Sequence, residues 1–295
     1  SICLNNQKIK AKSLLSWQIP IITSSEHMKS RILSINKKFL YDELENFDVL
    51  VIPGFQGINK KGELTTLGRG GSDTSAVAVA AAMETECIIY TDVEGVFTTD
   101  PNIVPKAKKI NKISYEEMLE LASQGAKVLQ TRSVELAMRK NTKLSVRSSF
   151  KPKKIGTMIT DEKSVLENNT VSGITYSKDE AKITLSRVQD KPGVSSKIFG
   201  PLAKGNIHVD MILQNISQDG KFANLSFTLP RLDLEKALKI LKKEKSVIGY
   251  KKIISSNNIS KISVVGVGMR SHAGVAQTLF DTCLLYTSPS PRDRS

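Results

Sequence analysis

The feature that most constrains this chain is residues 67–75, LGRGGSDTS, which run directly into the alanine-rich residues 72–83, SDTSAVAVAAAM. Ser, Asp and Thr are cap formers and Ala is the strongest helix former, so a helix starts just beyond the glycines. On either side lie residues 48–53 (DVLVIP) and 87–91 (CIIYT), short, β-branched and almost continuously apolar. Such runs read as strands covered on both faces. Strand, glycine loop, helix and strand in that order form a β-loop-α-β unit and predict an α/β domain with a largely parallel sheet.

The pattern continues. Residues 115–123 (YEEMLELAS) predict a helix, with Ser114 as N-cap and Glu117 as its capping-box partner. Residues 133–140 predict another helix and 143–147 a closing strand. The polar stretch 151–170 lacks sustained periodicity and reads as a linker, which leaves 1–150 as one domain. From there the expected order is strand (181–188), DKPG turn, helix (195–204), strands (207–216 and 222–229), helix (232–243) and strand (247–254). That is βαββαβ, a ferredoxin-like α+β unit spanning 171–256. Residues 260–282 repeat its opening of strand, glycine turn and helix. Residues 283–295 (CLLYTSPSPRDRS) break the pattern and read as a foreign tail, the alternative being a natural terminus.

Charge and composition exclude several functions. The net charge of +14 is distributed: residues 1–150 carry 20 basic and 16 acidic side chains, 151–259 carry 19 and 11, and 260–295 carry 4 and 2. The lysines of 236–245 alternate with Leu and Ile at helical spacing, as on a solvated helix face, so no nucleic-acid partner is expected. No run approaches the ~18 apolar residues of a membrane span. Cys3, Cys87 and Cys283 form no CxxC pair, and His27, His208 and His272 are scattered. Neither a disulfide framework nor a thiolate or histidine metal site is expected, and a reducing cytoplasm fits best.

Two segments carry chemistry. In 67–75 the glycines let backbone amides approach an anion, and the following helix start adds its free N–H groups and positive dipole end. The loop is neither GxxxxGK[ST] nor GxGxxG, since Asp73 stands where the third glycine would be. By itself it reads equally as a turn with caps; Arg69 favours a carboxylate clamp. Residues 90–102 (YTDVEGVFTTDPN) follow a strand and so sit where α/β sheets bind ligands. Asp92, Glu94 and Asp100 there could meet ribose, basic groups or Mg2+, or could simply form turns. Lys127 could neutralise phosphate or be merely solvated.

Residues 55–73 (FQGINKKGELTTLGRGGSD), 90–105 (YTDVEGVFTTDPNIVP), 114–130 (SYEEMLELASQGAKVLQ) and 146–150 (VRSSF) together resemble aspartate kinases of the type that carries ACT regulatory repeats. DKPG at 190–193 and IHVDMILQ at 207–214 are similar to the first ACT repeat, and VGVGMRSH at 265–272 to the start of the second. The resemblance implies an amino-acid-kinase-like three-layer αβα domain followed by ACT domains. It implies Mg2+-ATP-dependent phosphorylation of the L-aspartate side chain, opening lysine, threonine and methionine synthesis. By resemblance Arg69, Gly70, Gly71 and Ser72 bind aspartate, with Arg69 on its α-carboxylate. Thr91, Asp92, Phe97, Thr98, Thr99, Asp100, Pro101, Asn102 and Lys127 match ATP-binding positions. Asp190, Lys191, Pro192, Gly193, Val194, Ser195, His208, Val209, Asp210 and Gln214 match positions that bind an effector, lysine or threonine, in a homo-oligomer dimerised through ACT domains.

The family has Tyr at the position of Phe97, Arg at that of Asn102 and usually Asn at that of His208. It also opens with a KFGGTS-type loop bearing the catalytic Lys and Ser, which no part of this sequence matches. The expectation is therefore a fragment with little turnover of its own. Two other readings compete: a different enzyme of the amino-acid-kinase fold, and a non-catalytic amino-acid-sensing module.

Overall fold

A computed structural model describes residues 1–162, 170–217, 220–270 and 272–286. It divides into two compact units. One comprises Ser1–Thr175 with the chain from Ser263 onward, the other Tyr176–Ile262.

The first unit opens with α1 (Ile2–Asn6), β1 (Ala11–Ser13), β2 (Ile21–Thr23), β3 (Ile32–Ile35), α2 (Lys37–Leu44) and β4 (Val49–Val51). There follow β5 (Gln56–Ile58), β6 (Leu64–Thr66), α3 (Gly71–Ala82) and β7 (Cys87–Thr91). It continues through β8 (Lys112–Ser114), α4 (Tyr115–Ser123), α5 (Thr131–Lys140), β9 (Leu144–Ser148) and β10 (Thr157–Thr160). The strands form mixed sheets where a largely parallel one was expected. β1 with β4, β2 with β5, β7 with β9 and β8 with β10 run parallel, whereas β2 with β3, β5 with β6 and β9 with β10 run antiparallel. The two N-terminal antiparallel pairs join strands that are neighbours in sequence, and the third comes from the stretch expected to be a linker. Thr157, Ile159 and Thr160 are buried while Met158 is exposed, so TMIT doubles back on β9 as β10. Residues 163–169 of that stretch lie outside the described residues.

Val77, Met118, Val134, Leu144, Val146 and Ile159 are fully buried and join the helices to the β7-β9-β10-β8 sheet. α4 starts as its sequence dictates. The Ser114 hydroxyl accepts from the Glu117 amide at 3.1 Å, and the Glu117 carboxylate accepts from the Ser114 amide at 3.3 Å. Glu117 is buried and does more: it also accepts from the Ser172 hydroxyl, and from the Val267 amide at 3.3 Å.

The second unit is built on β11 (Gly173–Gln189), α6 (Val194–Lys204), β12 (Ile212–Ile216), β13 (Phe222–Pro230), α7 (Leu234–Lys243), the short α8 (Lys245–Ile248) and β14 (Lys252–Val265). Its sheet order is β12-β13-β11-β14, the ferredoxin-like arrangement. Ile183, Leu185, Phe227 and Leu229 of the sheet pack on Ile198, Leu202, Ala237 and Leu241 of the helices.

The sequence expected a strand at 247–254, but Lys245–Ile248 adds a helical turn closed by Gly249 in the left-handed region (φ 76°). Only then does β14 begin. It runs unbroken to Val265, past the point where one repeat was expected to end and another to start. The amide of Ser172 donates to Val265 (2.8 Å) and that of Lys251 to Ser186 (2.9 Å), so β11 and β14 run antiparallel. Val265 belongs to the core of the first unit. The last helix, α9 (Val275–Tyr286), runs beyond residue 282 into the expected tail; residues 287–295 of that tail lie outside the described residues.

Glu117→Ala strips acceptors from Ser114, Ser172 and Val267 together. It should cost about 2 kcal/mol or more in urea unfolding, against under about 0.5 kcal/mol for the exposed neighbour Glu116→Ala. Equal costs would deny Glu117 this role.

Candidate functional site

The glycine loop is fixed by bonds to three other segments. The Leu67 amide donates to the Phe55 carbonyl (2.9 Å), and the Phe55 amide to the Ser75 hydroxyl (3.0 Å), which itself donates to the Gly71 carbonyl (2.8 Å). Gly68 (φ 79°) lies so near the Met28 carbonyl that a Cβ would sit 2.2 Å from its oxygen. Gly70, the N-cap of α3 at φ 69°, lies under Gln130, whose Cγ would be 2.0 Å from an added Cβ. Both glycines are thus required by close approach as well as by backbone angle. The first i to i−4 bond of α3 runs from Thr74 to Gly70 (3.0 Å), which leaves Ser72 and Asp73 as first-turn amides of the kind that receive an anion. Arg69 and Ser72 are exposed beside them, and Gly71 is buried.

Asp73 and Cys87 are coupled. Burial raises the Asp73 carboxyl above its ordinary value, while hydrogen bonds from the Ser72 hydroxyl and the Gln130 amide oppose the rise. Burial, reinforced by the charge of Asp73, pushes the Cys87 thiol up to about 11.

The second segment leaves the end of β7. The Thr91 hydroxyl donates to the exposed Asp92 carboxylate (3.0 Å), and both the amide and the hydroxyl of Ser149 donate to the Thr91 carbonyl (2.8 and 2.9 Å). Phe97 bridges to Lys109, and the Thr98 amide donates to the Lys108 carbonyl (2.8 Å). Thr99 and Pro101 are half-buried. The Asp100 carboxylate accepts from the Asn102 amide (2.9 Å), the turn role weighed for it from sequence. Glu94 is committed elsewhere. It pairs with Lys151 (2.5 Å) and Lys154 (3.5 Å), and the hydrogen bond from Lys151 is the chief cause holding its carboxyl below the ordinary value. Lys127 is exposed between α4 and α5, three residues before the Gln130 that covers Gly70.

In the second unit the Gln214 side chain donates to the Asp190 carboxylate (3.1 Å), bringing together two of the positions expected to meet an effector. Lys191, Pro192 and the left-handed Gly193 (φ 87°) form the turn that caps α6, followed by half-buried Val194 and exposed Ser195. Val209 packs on the core and His208 is exposed. Asp210 is engaged differently: its carboxylate is in contact with Lys261, which also lies 3.7 Å from Glu180.

Sequence reasoning missed Arg132. Its guanidinium, at the start of α5, donates to the carbonyls of Leu67 (2.8 Å) and Ser30 (2.6 Å). Burial and the charge of Arg31 hold it below its ordinary value. Among the described residues no helix is long and apolar enough to cross a membrane, and no group of three or more His, Cys, Asp and Glu is gathered that could hold a metal ion.

The chain matches the amino acid kinase family over residues 1–148 and the ACT domain over residues 186–244. Fold and loop together thus define an amino acid kinase joined to an ACT domain. It is 48% identical over 283 residues to the aspartate kinase of Pseudomonas putida, across 95% of this chain and 68% of that protein. The structure of E. coli aspartokinase III in complex with aspartate and ADP superimposes with a TM-score of 0.77 at 24% identity, covering 97% of this chain and 64% of that one. The same enzyme in complex with lysine and aspartate gives 0.69 at 26% identity, covering 89% and 59%. The chain thus spans about two thirds of the relatives it matches, and it belongs to the aspartate kinases.

Because burial raises the carboxyl of Asp73, ionising it costs more in the folded than in the unfolded chain, and stability present below the unfolded value is lost as pH rises through the folded one. Asp73→Asn, which imitates the protonated form, should raise the Tm at pH 7–8, with the gain vanishing near about pH 3. Thermal melts at both pH values check this; a gain independent of pH would refute the ionisation account.

Proposed function

We propose that the protein transfers the γ-phosphoryl group of ATP to the side-chain carboxylate of L-aspartate. A carboxylate oxygen attacks phosphorus, the bond to the bridging β,γ-oxygen breaks, and 4-phospho-L-aspartate and ADP leave. The acceptor is already an anion at neutral pH, so no general base is needed, and catalysis amounts to positioning two anions and neutralising their charge. The observation that carries the reading is the loop at the head of α3. Exposed Arg69 supplies a bidentate donor for the α-carboxylate beside the first-turn amides of Ser72 and Asp73. Thr91, Asp92, the 97–102 segment and Lys127 serve the nucleotide. Exposed hydroxyl and carboxylate oxygens at Thr91 and Asp92 are the hard donors that suit a magnesium nucleotide, and Mg2+ supplies charge neutralisation on the phosphates when bound.

The second unit reads as the sensor of a pathway end product, lysine or threonine, taken up by the DKPG turn and β12. The bonded pair Asp190–Gln214 supports this, and lysine is bound in one of the E. coli structures. β12 exposes Ile212, Leu213 and Ile216, which supports pairing of two chains through their ACT domains. The absence of a disulfide at Cys3, Cys87 and Cys283 supports a reducing, cytoplasmic setting.

The test is hydroxamate trapping of the acyl phosphate with ATP, Mg2+ and aspartate on the intact protein. Product from aspartate is expected; product from glutamate or a nucleotide and none from aspartate would sink the reading. Arg69→Ala should raise KM for aspartate on the order of 100-fold, with KM for ATP within about twofold. For the sensor, Gln214→Ala should shift the inhibitory concentration of lysine or threonine at least about tenfold, leaving kcat without effector near the wild-type value. Unaltered inhibition would remove Gln214 from the site.

A further inference from the structure

The substrate loop is held from one side by the start of α5. Ser30 donates its amide (3.2 Å) and its hydroxyl (2.8 Å) to the Thr66 carbonyl, and the Met28 amide donates to the Thr66 hydroxyl (3.1 Å). Segment 28–30 therefore lies alongside the entry to the loop, with Gly68 against the Met28 carbonyl. Arg132 spans the two strands of chain, one terminal nitrogen to Leu67 and the other to Ser30. Two residues earlier in the same helix start, the Gln130 stem covers Gly70 and its amide meets the Asp73 carboxylate. Residues 130 and 132 thus grip the loop at both ends, and Arg69 lies between the grips.

We infer that Arg132 is the positioning residue of the aspartate loop: its guanidinium fork sets where Arg69 and the amides after it stand, without touching substrate. The inference rests on the reading of this loop as the aspartate site. A planar fork with fixed spacing can hold two carbonyls in one geometry, which a single ammonium on a flexible stem cannot. The Leu67 carbonyl is two residues from Arg69, and misplacement of a binding group by about 1 Å is enough to cost on the order of 100-fold.

Arg132→Lys and Arg132→Met in the intact protein test this. KM for aspartate should rise about tenfold in the first and about 30-fold in the second, with KM for ATP within about twofold of wild type. In Arg132→Lys, hydrogen exchange of the amides of residues 68–72 should quicken at least about tenfold while that of α4 stays unchanged. A role in folding alone would lower Tm and the active fraction and leave KM for aspartate where it was; that result overturns the inference, as does unaltered exchange in the loop. If Arg132→Met fails to fold, Arg132→Lys decides. The exchange measurement needs no substrate, so a wild-type protein that does not phosphorylate aspartate would refute the proposed reaction and leave the loop result to be read separately.

Discussion

The carboxylate of Glu117 is the interaction on which most of the architecture depends. Its oxygens start α4 through Ser114 and take hydrogen bonds from Ser172 and Val267. Those two residues stand just before the chain leaves the kinase unit and just after it returns. A buried carboxylate is tolerable only when its lone pairs are filled, and here four donors fill them. The group that caps a helix therefore also joins, within the kinase unit, the segments on which the chain leaves and returns.

The glycine loop shows a related economy. Its glycines are short of side chains because Met28 and Gln130 occupy the space, and that crowding prescribes the path of the backbone. Crowding excludes wrong conformations, and the hydrogen bonds from Arg132 and to Ser75 select among those left. An exposed Arg69 can then be aimed without being packed itself. The same helix start carries Lys127 a few residues upstream, so the groups assigned to aspartate and to nucleotide are governed by one stretch of chain.

Much of this was legible in the sequence where the deciding interaction is local. Ser114 and Glu117 form the capping box that their spacing demands, β7 occupies CIIYT, and the alanine-rich run forms α3, although it starts at Gly71 with Gly70 as N-cap and no side chain capping it. The order of elements in the ACT unit follows from the alternation of periods two and 3.6. Illegible features are those set by distant partners. Arg132 looks like any helix-start arginine, because its acceptors lie 65 and 102 residues away and are backbone carbonyls, which carry no side-chain signal. The TMIT strand hides in a polar stretch because four residues are too few to show a period. The run at 247–254 was apolar enough for a strand, but Gly249 ends a helical turn there, and the buried side of Ile248 looks the same in either conformation.

Ser172 and Val265 are bonded neighbours on antiparallel strands, so the whole ACT unit is an excursion that begins and ends at one rung of a ladder. Closing such an excursion costs entropy that grows only with the logarithm of its length, about 0.6 kcal/mol per doubling. A change in the length of the ACT unit should therefore have little effect on the stability of the kinase unit. The two units share a polypeptide, yet the length of one is nearly independent of the stability of the other.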